Sequence, residues 1–203
     1  MRQPLRRVVQ VVGLGAALCL PMSSGIASAD TIDSAQIALS VYNAKDPEAA
    51  FNQLSPAEQE EFAARMQTWT SEEVSSEFKQ VEPTPEELAA MGPDGARAGG
   101  CWQQYKYQKW RDIGMNTGDT WMTAHWCHNG SRITSYRLSD QGGQGKLGIK
   151  YEGLGAKYAN NVGWEVRQGQ TFKFKIGWAH ANPCMQIRGG KGLYSFRANC
   201  NMS

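Results

Sequence analysis

Thr171-Phe172-Lys173-Phe174-Lys175-Ile176-Gly177-Trp178 is the stretch that decides the fold class. Its apolar residues, Phe172, Phe174, Ile176 and Trp178, fall on alternate positions. A period of two is that of a strand with one face in a core and the other, here carrying Lys173 and Lys175, in water. Shorter runs of the same kind lie near 101–110, 119–128, 131–138, 146–152, 162–167, 184–188 and 193–199, separated by glycine-rich turns. About eight short strands at this spacing predict an antiparallel sandwich or barrel, not a parallel sheet. Asn129-Gly130 predicts a type I′ hairpin turn that pairs His128 with Ser131 and sets Trp126 opposite Ile133. Gly189 to Gly192 predicts a second hairpin, which brings Cys184 toward Cys200.

Ahead of this β region the pattern changes to short helices. Asp46-Pro47, Ser55-Pro56 and Thr84-Pro85 each place a capping side chain before a proline at the first helical position, where the missing N–H costs nothing. Ser55 with Glu58 and Thr84 with Glu87 complete capping boxes. Ile37, Val41 and Ala44 line one helix face, and Phe62, Met66 and Trp69 another. Residues 30–69 therefore read as a helical segment, 70–100 as a linker holding a short helix, and 101–203 as the β domain. The whole is α+β: a small N-terminal helical segment followed by the antiparallel sandwich or barrel.

Charge divides the chain at the same place. Residues 30–98 carry 14 acidic and 4 basic side chains, whereas residues 99–203 carry 5 acidic and 14 basic, so a formal net of +2 conceals two opposed halves. Such halves attract at low ionic strength, and two arrangements are open: the acidic helices screen a basic face, or the opposite charges lie on remote surfaces and aid solubility. Trp102, Trp110, Trp121, Trp126, Trp164 and Trp178 all lie in the basic half.

The first 29 residues read as a signal peptide. Arg2, Arg6 and Arg7 precede an apolar run from Val8 to about Leu20, and Ala27-Ser28-Ala29 supplies the small residues of a cleavage site. The run is too short for a membrane anchor, which needs roughly 20 apolar residues, and a secreted product cut after Ala29 is expected. Cys19 leaves with the signal, and Cys101, Cys127, Cys184 and Cys200 remain as two disulfides in an oxidising compartment. Four cysteines allow three pairings, of which nearness along the chain favours Cys101 with Cys127 and Cys184 with Cys200. The spacings contain no C-x-x-C pair, so neither a metal centre nor another cofactor is expected.

Val41-Tyr42-Asn43 with Asp46, Leu54-Ser55-Pro56-Ala57-Glu58-Gln59, and Trp126-Cys127 followed by Gly130, Ile133 and Thr134 carry a resemblance. The chain resembles a group of uncharacterised secreted actinobacterial proteins that join an N-terminal helical segment to a C-terminal disulfide-containing β domain. The resemblance implies a similar fold and a secreted life, and no activity or functional residues.

No catalytic motif emerges. His125 and His128 flank Cys127, but on a strand they point to opposite faces, and a disulfide-bonded Cys127 cannot act as a nucleophile. Gly143-x-Gly145-x-x-Gly148 matches the dinucleotide fingerprint in letters only, since a strand follows where the fingerprint needs a helix; it reads as a flexible turn. Asp112, Asp119, Asp140, Glu152 and Glu165 single out no pair for glycoside hydrolysis, and no G-x-S-x-G elbow is present. His180, in the loop Ala179 to Pro183, is the one lone candidate acid or base. What remains is binding: Lys106, Lys109 and Arg111 around Trp110, with Lys173 and Lys175 on the outward face of their strand, could hold an anionic polymer or stack on a sugar.

The sequence thus predicts a secreted non-catalytic binding module acting at the cell envelope or on an extracellular macromolecule. Its expected partner is an envelope glycan, an anionic polymer or an extracellular protein; nucleic acid fits an exported protein poorly. The alternatives are a secreted hydrolase with an unassigned active site and a protein-directed inhibitor or toxin component.

Overall fold

The computed structural model describes residues 33 to 192 and 194 to 201; the signal-peptide reading of residues 1–29, with Cys19, lies outside the described residues. In chain order the elements are α1 (Ser34–Tyr42), α2 (Pro47–Gln53), α3 (Pro56–Met66), β1 (Thr70–Val81), α4 (Pro85–Ala98), β2 (Gly100–Asp112), β3 (Met115–His128), β4 (Ile133–Gly145), β5 (Lys150–Asn161), β6 (Val166–Ile176), β7 (Ala179–Ala181), β8 (Cys184–Gly189) and β9 (Tyr194–Arg197). Strands β1 to β4 form a four-stranded antiparallel meander, and β5, β6, β8 and β9, with β7 on β6, form a second antiparallel sheet. The two sheets do not close into a barrel, which removes that alternative.

The alternation that begins at Phe172 extends back through Gln170, Gln168 and Val166, all buried, so the runs read as 162–167 and 171–178 contain a single strand, β6. The two glutamines can lie inside because their amides are satisfied. Gln168 Nε2 donates to the His125 carbonyl of the facing sheet at 3.1 Å, and Gln170 Nε2 donates to the carbonyls of Gly155, Ala156 and Thr171. Phe172, Phe174, Ile176, Met185 and Ile187 from one sheet meet Trp110, Met122, Ala124 and Trp126 from the other in a single core.

The helices belong to this core. The described residues form one compact unit. Ile37, Val41, Phe51, Phe62 and Met66 are buried with the strand residues. Tyr42 and Phe51 meet Phe62 edge-on at 5.5 and 5.4 Å, and Trp69 meets Phe174 at 5.7 Å. Each fully buried aromatic of this kind contributes on the order of 1.5–3 kcal/mol. The capping boxes at Ser55 and Thr84 are both formed. At the far end of the helices a buried ion pair fastens them to β2: Arg65 Nε and Nη2 reach the two Asp112 oxygens at 3.0 and 2.8 Å, and the Tyr42 hydroxyl donates to Asp112 Oδ2 at 3.0 Å.

Four expectations change. Residues 70–81, read as linker, form β1, which pairs with β2 along its whole length. Its side chains are almost all exposed, so no apolar period marks it, and backbone pairing alone makes it a strand. The connection expected at 89–100 continues α4 to Ala98, broken at Gly92, whose φ is 75°, just before Pro93. The hairpin at Asn129-Gly130 is a longer loop in which His128 pairs with Ile133 and Trp126 with Tyr136. Asn129 Oδ1 accepts from the Ser131 and Arg132 N–H groups, an arrangement that spreads the turn over four residues while Gly130 alone takes positive φ. Gly143 and Gly145, read as a flexible turn, are ladder residues of β4 opposite Thr120 and Gly118.

Disulfides join Cys101 to Cys127 across β2 and β3, with Cα atoms 4.0 Å apart, and Cys184 to Cys200, 5.6 Å apart. Two such bridges are the mark of a protein that matures outside the reducing cytoplasm. Among the described residues no helix is long and apolar enough to cross a membrane.

Candidate functional site

The residues that sequence reasoning grouped as a binding patch are divided by the pleat of β2. Trp110 and Lys106 face inward and are only 2% and 3% exposed. The Trp110 indole donates to Thr120 Oγ1 at 2.8 Å, so it is a core residue and not a stacking surface. The Lys106 ammonium pairs with Glu73 and lies 5.5 and 5.3 Å above the rings of Tyr194 and Phe196. Lys109 and Arg111 face the other side, where Arg111 pairs with Glu72. The reading of 106–111 as one patch is therefore overturned by strand alternation. Lys173 stands exposed on the outer face of β6, while Lys175 and His180, paired across β6 and β7, both lie near Glu152, at 3.8 and 3.9 Å.

The opposed charges meet in pairs. Glu48 reaches Lys150 at 2.6 Å, Glu72 and Glu73 hold Arg111 and Lys106, and Glu87 holds Arg137. The acidic segment thus covers basic groups along the meander and at the start of β5, while Lys173 stays outside its reach.

A cleft of about 510 Å³ opens where three hairpin turns converge at one end of the two sheets. The β3–β4 loop contributes His128 and Gly130, the β5–β6 turn Trp164 and Glu165, and the β8–β9 hairpin Gly189, Gly190, Lys191, Tyr194 and Ser195. Trp164 is 63% exposed, the most exposed large apolar side chain among the described residues, and Tyr194 is 40% exposed. Two cationic side chains, Arg188 and Lys191, line the same cleft, and the one carboxylate among its described lining residues, Glu165, is tied to Arg167 at 2.7 Å.

The local sequence explains the shape. Asn161 Oδ1 accepts from the Gly163 N–H and Val162 N donates to the Glu165 carbonyl, closing a tight turn that carries Trp164 outward. Gly189 lies flat on the core indole of Trp126, where a Cβ would stand 2.3 Å from the ring, and Trp126 Nε1 donates to the Gly190 carbonyl at 2.8 Å. Only a glycine at position 189 lets this turn sit so low, and the hollow above it is the floor of the cleft. His128 Nδ1 accepts from the Gly130 N–H at 2.9 Å. Burial first, and Lys191 second, hold its pKa below the ordinary imidazole value, so it is neutral near pH 7 with its proton on Nε2.

Behind the meander lies a second, closed cluster. Cys101 and Cys127, on the outer face of β2 and β3, are covered by Met91 of α4 and by Val81. His125 is buried beside them, its Nε2 2.8 Å from Glu87 Oε1 and 3.5 Å from Cys127 Sγ. Glu87 Oε1 also accepts from Arg137, and Glu87 Oε2 from the Thr84 N–H at 3.0 Å. Burial opposes ionisation of Glu87, but the Thr84 N–H, Arg137 and His125 outweigh it and hold its pKa below the usual carboxylate range. For His125, burial first and Arg137 next outweigh the attraction of Glu87 and lower its pKa. A neutral imidazole thus donates to a carboxylate, and the pair pins α4 to the sheet.

No family model, curated protein or solved structure matches the chain. Of the cleft residues, sequence reasoning weighed His128 and Glu165 for chemistry and set both aside. The missed signal was Asn160-Asn161-Val162-Gly163-Trp164, where a tryptophan sits among turn formers with no alternating neighbour to bury it.

Proposed function

We propose that the protein is a secreted, non-catalytic binding module, akin to the secreted actinobacterial proteins it resembles, and that the hairpin-end cleft holds an acidic glycan of the cell envelope. The observation that carries this reading is Trp164, presented on the rim of a preformed cleft beside Tyr194, Arg188 and Lys191. An indole face stacks on the apolar face of a sugar ring while neighbouring cations take its carboxylate or phosphate groups. A lone, paired carboxylate favours binding over glycoside hydrolysis, which needs two acids across the scissile bond.

Titration of the purified protein with acidic and neutral envelope polysaccharides, followed by tryptophan fluorescence and calorimetry, tests the proposal. Acidic polymers should bind with a tryptophan signal and weaken with salt. Trp164→Ala should weaken binding up to about tenfold, the loss of roughly 0.5–1.5 kcal/mol expected of one stacking contact. Failure of every acidic polymer to bind, or an unchanged affinity in Trp164→Ala, would refute it.

A further inference from the structure

The closed cluster behind the meander holds a donor set that its present covalent state conceals. Glu87, Cys101, His125 and Cys127 are all buried, and one ligand atom from each lies within 4.8 Å of the others. A tetrahedral ion of the zinc class bound by sulfur, nitrogen and oxygen separates its ligand atoms by roughly 3.3–3.8 Å, as follows from bonds of about 2.0–2.3 Å. The distances already present bracket that range: 2.8 Å from His125 Nε2 to Glu87 Oε1, 3.5 Å from His125 Nε2 to Cys127 Sγ, and 4.0 Å from Cys101 Sγ to Glu87 Oε2. The two sulfurs must part, and His125 Nε2 must draw back from Glu87 Oε1 by about 0.5 Å.

We propose that opening the Cys101–Cys127 disulfide turns this cluster into a site for a zinc-class divalent cation, with two thiolates, one imidazole and one carboxylate as ligands. A dithiol reductant supplies the opening step. It gives two electrons and two protons to the protein sulfurs, and the S–S bond breaks as the reductant closes its own disulfide. On binding, the two thiols release their protons to solvent, and His125 ligates through Nε2 with its proton carried on Nδ1.

Charge supports the assignment. Two thiolates, one carboxylate and a doubly charged cation leave a single negative charge, and Arg137 already sits on Glu87 to balance it. A buried site without that guanidinium would carry an uncompensated charge, which is costly. Arg137 also fixes the orientation of Glu87, the task of an outer partner in metal sites. The elements are rigid where it matters: Cys101 and Cys127 are direct cross-strand partners, His125 stands two residues along the same strand face, and the capping box anchors Glu87. Two sulfur donors select zinc, cobalt or cadmium over magnesium or calcium.

The test is a cobalt(II) titration of the purified protein under anaerobic conditions, oxidised and after reduction with a phosphine. Reduced protein should develop the intense visible bands and near-ultraviolet thiolate charge transfer of a tetrahedral cobalt site, saturating at a single ion per chain and bleached by zinc(II). Oxidised protein should not. Arg137→Gln, which keeps all four donors, should weaken binding roughly 10- to 100-fold. Cys101→Ser with Cys127→Ser, which retains Cys184 and Cys200, should abolish the signal, and its persistence would place the ion elsewhere and overturn the proposal. Reduced, folded protein that gives no tetrahedral spectrum would overturn it too. Should reduction unfold the chain, recovery of its far-ultraviolet dichroism on adding zinc(II) supports the site, and a chain that stays unfolded in excess zinc(II) refutes it.

Discussion

Replacing Arg65 by methionine probes how firmly the helices are part of the β structure. Arg65 spans from α3 to Asp112 at the end of β2, where Tyr42 of α1 donates to the same carboxylate. The Asp112 side chain is 4% exposed and that of Arg65 23%. Removing one partner of a fully buried pair costs about 3–5 kcal/mol, because the other charge is left without compensation. Arg65 keeps nearly a quarter of its surface in water, so solvent screening lowers the expected loss to about 2–3 kcal/mol. For a chain of this size that corresponds to a drop in Tm of about 5–10 °C. Burial first, and then the adjacent carboxylate, raise the Tyr42 pKa, so its hydroxyl stays protonated and cannot substitute for the lost cation. Adding Asp112→Asn should recover more than half of the loss, since the orphan charge disappears while Tyr42 can still donate to the amide oxygen. Urea unfolding followed by tryptophan fluorescence measures both variants. A loss below about 0.5 kcal/mol for Arg65→Met, within the usual range for surface substitutions, or no recovery in the double variant, would refute the reasoning and detach the helices from the core.

The remaining predictions concern backbone space, titration and covalent structure. Gly145→Ala should destabilise by about 3 kcal/mol, at the upper end for overpacking, because its Cβ would meet the Ile149 carbonyl at 1.9 Å. Gly114→Ala, at φ 75° with open space around it, should cost only about 1 kcal/mol of backbone strain; equal losses in thermal melts would show the close approach of the β4–β5 connection to Gly145 to be wrong. His128 has a folded pKa below its unfolded value of about 6.5. Its contribution is therefore complete above pH 6.5 and falls as pH drops from there toward the folded pKa. Denaturation midpoints should decline over that window, and His128→Gln should flatten the decline; an unchanged slope would argue against a buried neutral imidazole. Non-reducing peptide mapping should recover Cys101 linked to Cys127 and Cys184 linked to Cys200, and a Cys127–Cys184 peptide would contradict the sheet arrangement.

Much of the fold is legible where side-chain pattern and burial coincide. Phe172, Phe174 and Ile176 announce β6 because the face they occupy is the core, and Ser55 and Thr84 announce helices because their capping partners lie three residues away. Legibility fails where backbone pairing or a distant partner does the stabilising. β1 has no apolar period because its side chains face water, and Gln168 and Gln170 read as polar although distant carbonyls satisfy them inside. Lys106 and Trp110 looked like a surface pair because adjacency in sequence says nothing of which side of a strand each occupies once both types can be buried. The cleft was hidden for a different reason: its residues come from three turns far apart in the chain, and only the pairing of the strands brings Trp164, Lys191 and His128 together.

β1 also bears on how the molecule keeps to itself. It is an outermost strand, twelve residues long, of the kind whose free N–H and C=O groups invite a second chain to add on. Glu72, Glu73, Glu77 and Lys79 line it, and a register shift between Glu73 and Ser75 leaves Val74 as a bulge that interrupts the regular ladder. Charge repels an approaching copy, and the bulge spoils the match a docking strand would need. The highly polar composition that makes this segment look like a linker is thus what lets a long β-edge exist without polymerising. Loss of β1 would uncover β2, whose row of pairing groups runs beside the apolar inward faces of Trp102 and Trp110 and has no such guard.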